Sequence, residues 1–85
     1  MSDKTKQFPA ASPTDEYIEK ILNEVITALE EKGYDAINQI SGYILTEDPT
    51  YITTHNDARN KIRKLDRFEI VKLLFKYFTK DVPNS

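Results

Sequence analysis

The chain has 85 residues, with 12 Lys or Arg against 14 Asp or Glu for a formal net charge of −2, and it contains no cysteine. A chain of this length forms one small domain that buries only about 60–65% of its unfolded surface, and the lack of cysteine excludes disulfides and thiolate metal sites. No apolar run reaches the ~18 residues of a membrane span and the N-terminus lacks the apolar core of a signal peptide, so we predict a cytoplasmic protein without membrane insertion.

The charges are divided unevenly along the chain. Residues 1–50 carry four Lys or Arg and ten Asp or Glu, a balance of −6, whereas residues 51–85 carry eight and four, a balance of +4. Such a division can indicate a nucleic-acid-binding face, or two surfaces that complement each other within a dimer. The overall acidity favours the second interpretation.

Residues 1–11, MSDKTKQFPAA, have no apolar periodicity, and we predict a flexible tail. A kinase can reach hydroxyl groups in such a tail, here Ser2 and Thr5. Phosphate would add about −1.5 to −2 charge beside Lys4 and Lys6. Judged from composition alone, the simpler interpretation is that these hydroxyls are only solvated.

Ser12-Pro13 is typical of a helix start, with Ser12 as N-cap and Pro13 at the first helical position. We expect a single helical domain over residues 12–81, followed by a short tail at 82–85. The first helix should end at Gly33, in the left-handed conformation that lets the last carbonyls find donors. Its apolar stripe consists of Ile18, Ile21, Leu22, Val25, Ala28 and Leu29.

Asp35 is predicted to cap a second helix, whose buried side should contain Ile37, Ile40 and Ile44. Gly42 lies inside this helical pattern, where glycine costs about 1 kcal/mol relative to alanine. Either the helix ends near Gly42, or the missing side chain permits the close approach of a neighbouring helix. The apolar pattern continues beyond Gly42, which favours close approach.

Two further elements follow. Asp48-Pro49 is typical of the start of a short helical turn, which should end near Ile52. A third helix is predicted over residues 57–65, with Asn56 as its cap.

The last helix opens on DRFE, a capping-box pattern from Asp66 to Glu69. It carries more apolar surface than a small monomer buries, because Ile70, Leu73 and Tyr77 widen its main stripe. We predict self-association through that stripe, which consists of Phe68, Val71, Leu74, Phe75 and Phe78. No strand pattern with turn chemistry appears, so the predicted fold is all-α: a compact bundle of four to five helices that forms a homodimer.

The sequence does not indicate an enzyme or a cofactor. His55 is the only histidine, and His55 with Asp57 would supply only two ligands, too few for a metal site. We expect His55 to be a solvated loop residue. Asp48 is better explained as a cap than as an acid or base paired with Glu47, and two glycines cannot build a phosphate-binding loop.

A basic cluster falls within nine residues: Arg59, Lys61, Arg63, Lys64 and Arg67. The interpretation we favour is a solvated helix face that pairs with the acidic half of the chain. The second is a surface for a phosphorylated or acidic protein segment, formed by Arg59, Arg63, Lys64 and Arg67, because arginine binds phosphate bidentately. The third is phosphate contact to nucleic acid over residues 59–67, although base-reading side chains are scarce there apart from Asn60.

Residues 31–71, EKGYDAINQISGYILTEDPTYITTHNDARNKIRKLDRFEIV, resemble the IreB family of small proteins from Gram-positive bacteria. The resemblance is carried by Gly-Tyr, Ile-Asn-Gln-Ile, Gly-Tyr, Asp-Pro, Tyr-Ile, Asp-Ala-Arg and Ile-Arg-Lys, in that order. It implies a helical homodimer without enzymatic activity that acts on an unknown downstream protein. It also implies phosphorylation by a transmembrane Ser/Thr kinase with extracellular PASTA domains, opposed by its phosphatase, and restraint of cephalosporin resistance.

The resemblance also indicates the phosphate acceptors. The tail threonine of the family precedes a short segment that ends in Phe, and DKTKQF keeps this arrangement, so Thr5 matches the acceptor. Ser2 lies where members with a second acceptor carry threonine. The alternative function is a small nucleic-acid-binding regulator that uses the basic face.

Overall fold

The computed structural model describes residues 13–80, which contain four α-helices and two short 3-10 turns and no strand. The all-α prediction is confirmed. The predicted cap Ser12, the predicted tails at 1–11 and 82–85, and the acceptors Ser2 and Thr5 lie outside the described residues. None of the helices within 13–80 is long and apolar enough to cross a membrane.

Helix α1 runs from Pro13 to Glu31 and forms the centre of the core. All six residues of its predicted apolar stripe are buried, as expected for one continuous face. Gly33 follows with φ +83°, and its N–H donates to the carbonyl of Glu30 at 2.9 Å, while the N–H of Tyr34 donates to Leu29 at 2.9 Å. This pair of bonds is a Schellman motif, which confirms Gly33 as the helix stop.

Helix α2 runs from Ala36 to Thr46. Its predicted cap is confirmed, because a side-chain oxygen of Asp35 accepts from the N–H of Asn38 at 3.2 Å. The predicted buried side is wrong in part: Ile37 is 78% exposed and Ile44 is only half-buried. The buried row lies next to the predicted one and consists of Ala36, Ile40 and Tyr43.

Gly42 lies inside α2, which continues for another turn beyond it. A Cβ at this position would lie 2.6 Å from Cδ1 and 2.7 Å from Cζ of Tyr51. The close approach expected at Gly42 is therefore present, but the neighbour is an aromatic ring on the 3-10 turn Pro49–Tyr51 rather than a helix.

The turn Pro49–Tyr51 begins and ends where the sequence predicts. A side-chain oxygen of Asp48 accepts from the hydroxyl of Thr50 at 2.7 Å and from its N–H at 3.0 Å, and Ile52 is the C-cap. The side-chain and backbone hydrogen bonds from Thr50 lower the pKa of the Asp48 carboxyl. Asp48 is thus a cap.

The predicted cap of the third helix is wrong. Asn56 lies in the second 3-10 turn, His55–Asp57, with φ 53°, and Asp57 follows with φ 62°. Because α3 begins at Ala58, its N-cap position is Asp57, and Asn56 lies one residue too early to cap it. The carboxylate of Asp57 instead accepts from the side-chain amide of Asn60 at 2.9 Å.

Helix α3 runs from Ala58 to Arg63 and packs against α1, and α4 runs from Arg67 to Lys80. At the start of α4, a side-chain oxygen of Asp66 accepts from the N–H of Phe68 at 2.9 Å. Asp66 therefore caps the helix as predicted. Glu69, the other residue of the capping-box pattern, pairs instead with Lys72 at 3.3 Å, one turn further along α4.

Candidate interaction surfaces

Polar contacts and a buried apolar row hold α4 against α1. The ammonium of Lys76 lies 2.8 Å from a carboxylate oxygen of Asp15, and the hydroxyl of Tyr77 donates to Glu19 at 2.6 Å. Ile70 and Leu73 of the same helix are buried. Lys76 and Tyr77 therefore identify the side of α4 that faces α1.

The opposite side of α4 is apolar and faces solvent. Phe68 and Phe78 are each 66% exposed, Phe75 is 61% exposed and Leu74 is 47% exposed, while Val71 is half-buried. We call these five residues the α4 face; they are the predicted self-association stripe. At the N-terminal end of this face, the ammonium of Lys72 lies 5.1 Å from the ring centroid of Phe68. Contiguous exposed apolar side chains on a small domain are typical of protein-interaction surfaces.

An apolar groove of about 560 Å³ opens between α1, α2 and one residue of α4. We call it the α1–α2 groove, and its apolar lining includes Leu22, Ile26, Ile37, Ile40, Ile44 and Leu74. Glu30 and Asp35 are the charged side chains among the described lining residues, and Tyr34 lies beside them. Leu74 belongs to both the groove and the α4 face.

The sequence does not predict this groove, because its helical pattern places Ile37 in the core. A second apolar row on α2 is nevertheless visible in the sequence, since Ile37 and Ile44, which both line the groove, lie seven residues, or about two turns, apart. Ile37 is highly exposed and Ile44 is half-buried. A helix with two adjacent apolar rows buries one and leaves the other for a second contact.

The basic cluster does not form one uniform face. Arg59 donates from Nε to the carbonyl of Ile52 at 2.9 Å, which holds the loop before α3. Arg67 donates to the carbonyl of Ile44 at 2.7 Å and lies 3.2 Å from a carboxylate oxygen of Glu47. Because the last carbonyls of a helix have no intrahelical donor, Arg67 acts as a side-chain cap for the C-terminus of α2.

Lys61 pairs across to α1, with its ammonium 3.1 Å from a carboxylate oxygen of Glu24. Hydrogen bonds from Lys20 and Lys61 lower the pKa of the Glu24 carboxyl. Arg63 and Lys64 are exposed, and no carboxylate within residues 13–80 forms an ion pair with either. Of the four predicted partner-binding residues, Arg59 and Arg67 therefore have contacts within the fold, and Arg63 and Lys64 face solvent.

His55 is not the solvated residue we expected. It is half-buried, and its Nε2 lies 2.8 Å from a carboxylate oxygen of Glu31. The side-chain amide of Asn56 reaches the same oxygen at 3.4 Å. These contacts join the 3-10 turn to the end of α1. In the described part of the chain, no group of three His, Cys, Asp or Glu side chains is placed to hold a metal ion.

The arrangement offers surfaces for binding other proteins, in agreement with one comparison with known proteins. The family model described as IreB regulatory phosphoprotein matches residues 3–80. This match covers the resemblance over residues 31–71 and extends it to both terminal helices and to the segment that contains Thr5. The family description supports a regulatory role, and the chain belongs to the IreB family.

Proposed function

We propose that this chain is a non-enzymatic regulator that works by contacts with other proteins and that phosphorylation before α1 sets its state. The observation that carries the proposal is the exposed α4 face in a member of a regulatory phosphoprotein family. A protein that only had to fold would gain solubility from polar residues at Phe75 and Phe78. Their exposure indicates a partner surface.

We propose that the α4 face joins two copies into a homodimer. Two-fold interfaces are self-complementary, and an apolar row on one helix can pack against its own copy with antiparallel axes. Aromatic residues supply the anchors typical of such contacts. A second copy would cover Phe68, Phe75 and Phe78 and add to the apolar burial of a small 85-residue chain.

The proposed acceptors are Thr5 and, second, Ser2. The proposed enzymes are a transmembrane Ser/Thr kinase with PASTA domains and its phosphatase, and the proposed location of the regulator is the cytoplasm. The proposed output is restraint of cephalosporin resistance through an unknown downstream protein. Support comes from the resemblance of DKTKQF to the acceptor segment of the family and from the family description.

Phosphopeptide mapping of the protein from its own cells, with and without cell-wall stress, tests this proposal. We expect phosphate on Thr5 or Ser2 in a proportion that changes with stress. Thr5→Ala and Ser2→Ala should each remove one phosphopeptide and leave the other. An unmodified segment under both conditions would sink the kinase-substrate proposal.

The basic face is the weaker candidate. A nucleic-acid-binding regulator would need Arg59, Arg63 and Arg67 directed at phosphates, but Arg59 and Arg67 hydrogen-bond to carbonyls of their own chain. The charges left to solvent are those of Arg63 and Lys64, so we favour protein binding. Steeply salt-dependent duplex binding that Arg63→Ala weakens would reverse this preference.

A further inference from the structure

We propose that residues 4–8, KTKQF, bind in the α1–α2 groove of their own chain, with Phe8 beside Leu22 and Ile26. In this arrangement the segment runs back along α1, and Lys4 reaches the acidic end of the groove beside Glu30 and Asp35. The contact would be an intramolecular one that covers the second apolar surface of the protein. It does not depend on phosphorylation.

The length of chain before α1 matches the position of the groove. Along the axis of α1, Leu22 lies about 14 Å and Glu30 about 26 Å from Pro13, at about 1.5 Å per residue. An extended chain covers about 3.3 Å per residue, so Phe8 can reach about 17 Å from Pro13 and Lys4 about 30 Å. Both residues therefore reach their proposed positions without unwinding the helix.

The side chains of the segment suit the groove. Phe8 is the only aromatic residue in 1–12, and the groove offers an apolar lining from Leu22, Ile26 and Leu74. Because proline disfavours helical backbone in the residue before it, the pair Phe8-Pro9 suits the extended chain that the proposal requires. Because Pro9 also limits the unbound conformations, less entropy is lost on docking.

Charge favours this occupant over an acidic one. The segment carries Lys4 and Lys6, and the charged side chains on the described lining of the groove are the carboxylates of Glu30 and Asp35. A lysine beside each end of Thr5 would lie close to these carboxylates. A phosphorylated peptide, by contrast, would be repelled by them.

One consequence rests on the proposed function. Phosphate on Thr5 would add about −1.5 to −2 charge between the two lysines, next to Glu30 and Asp35. The same modification would therefore shift the segment out of the groove and expose it for another partner.

The test uses disulfide trapping, since the full chain has no cysteine of its own. Gln7→Cys is combined with Ser41→Cys, an exposed position on the groove, or with Thr27→Cys, an exposed position on the other side of α1 near Glu24 and Lys61. Gln7 can extend about 20 Å from Pro13 and Thr27 lies about 21 Å along α1, so the control pair closes only near full extension. Phe8→Ser leaves this reach unchanged, and its effect on the groove pair therefore isolates docking. Both pairs replace surface residues. Their rates of intrachain disulfide formation under a mild oxidant are then compared.

We expect the groove pair to close about tenfold faster than the control pair, and Phe8→Ser to remove the difference. Equal rates for the two pairs, or a disulfide formed only between two copies, would overturn the proposal. Phosphothreonine installed synthetically at position 5 should slow the groove pair about threefold or more at low salt.

The two proposals fail separately. Fast closure of the groove pair in the unmodified chain supports docking even if cells never phosphorylate Thr5. Phosphate found on Thr5 in cells, with equal closure rates, supports the kinase-substrate proposal and rejects docking.

Discussion

The ring of Tyr51 lies where the side chain of residue 42 would extend, so Gly42 and Tyr51 together determine how α2 packs on the turn that follows it. The side-chain amide of Gln39 donates to the carbonyl of Tyr51 at 2.8 Å and holds the same turn one helical turn earlier. The sequence contains Gly-Tyr twice, at Gly33-Tyr34 and at Gly42-Tyr43, and the two glycines are thus required for different reasons. Gly33 is required by its backbone conformation and Gly42 by the space it leaves.

We expect Gly42→Ala to lower the free energy of unfolding by about 1 kcal/mol or more, because the clash with Tyr51 outweighs the better helix propensity of alanine. Urea denaturation followed by circular dichroism measures this. In a Tyr51→Ala background the sign should reverse, since the space is then open. Stabilisation of the wild-type background by Gly42→Ala would show that the ring moves aside at little cost.

Gly33 provides the contrasting case. A Cβ at Gly33 would meet nothing within 4 Å, but φ is +83°. Gly33→Ala should therefore cost about 1–2 kcal/mol through backbone strain alone, and Gly33→Asn should cost less because asparagine tolerates this conformation. Thermal denaturation of the two variants checks the order. An equal loss for both would argue for a steric cause.

Substitutions can distinguish the role of the exposed α4 face from that of the buried side of the same helix. Phe75→Ser with Phe78→Ser should abolish dimerisation while the chain stays helical, because both side chains are exposed in the monomer. Leu73 lies two residues before Phe75 but is buried, so Leu73→Ala should instead cost about 2–5 kcal/mol of folding stability. Sedimentation equilibrium and circular dichroism give the two readouts. A dimer unchanged by the double substitution would reject this interface.

Truncation of Arg67, which has contacts within the fold, should lower stability more than truncation of the exposed Arg63. Arg67→Ala removes a bond to the carbonyl of Ile44 and the pair with Glu47, both partly exposed, and should cost about 1–2 kcal/mol. Arg63→Ala should change stability by less than about 0.5 kcal/mol. Arg67→Lys should restore only part of the loss, because one ammonium cannot reproduce the guanidinium fork. Equal effects at both positions, measured by urea denaturation, would contradict the capping role of Arg67.

The contact between Tyr77 and Glu19 predicts a pH dependence at high pH. The hydrogen bond to Glu19, with burial and the nearby carboxylates, raises the pKa of Tyr77 to about 12. A raised pKa in the folded state means that this contribution to stability is fully present below the unfolded pKa of about 10 and is lost as pH rises from 10 to 12. Denaturation curves from pH 9 to 12 measure the loss.

Tyr77→Phe is the matched variant for this prediction. It removes the titrating hydroxyl and keeps the ring, so stability should fall less steeply with pH in the variant than in wild type. Lysines also titrate in this range, and the comparison cancels their contribution. Parallel curves for the two proteins would mean that Tyr77 ionises as freely in the folded chain as in the unfolded one.

Features that depend on near neighbours in the chain can be predicted from the sequence. The stripe of α1, the stop at Gly33 and the caps at Asp35 and Asp48 follow from spacing of three or four residues and from side chains that bond to adjacent backbone groups. These relations are local, so the same residues would produce them in many folds. The family resemblance likewise depended on short motifs in order.

Which apolar surfaces stay exposed depends on the packing of the helices. Both α2 and α4 carry two adjacent apolar rows, and periodicity cannot tell which row is buried; packing against α1 buries Ile40 and Leu73 and leaves Ile37 and Phe75 outside. Arg67 likewise acts on the carbonyl of Ile44, a contact 23 residues apart that spacing does not encode. The physical reason is that burial and long-range bonds depend on which elements meet, and that is decided by the free energy of the whole core.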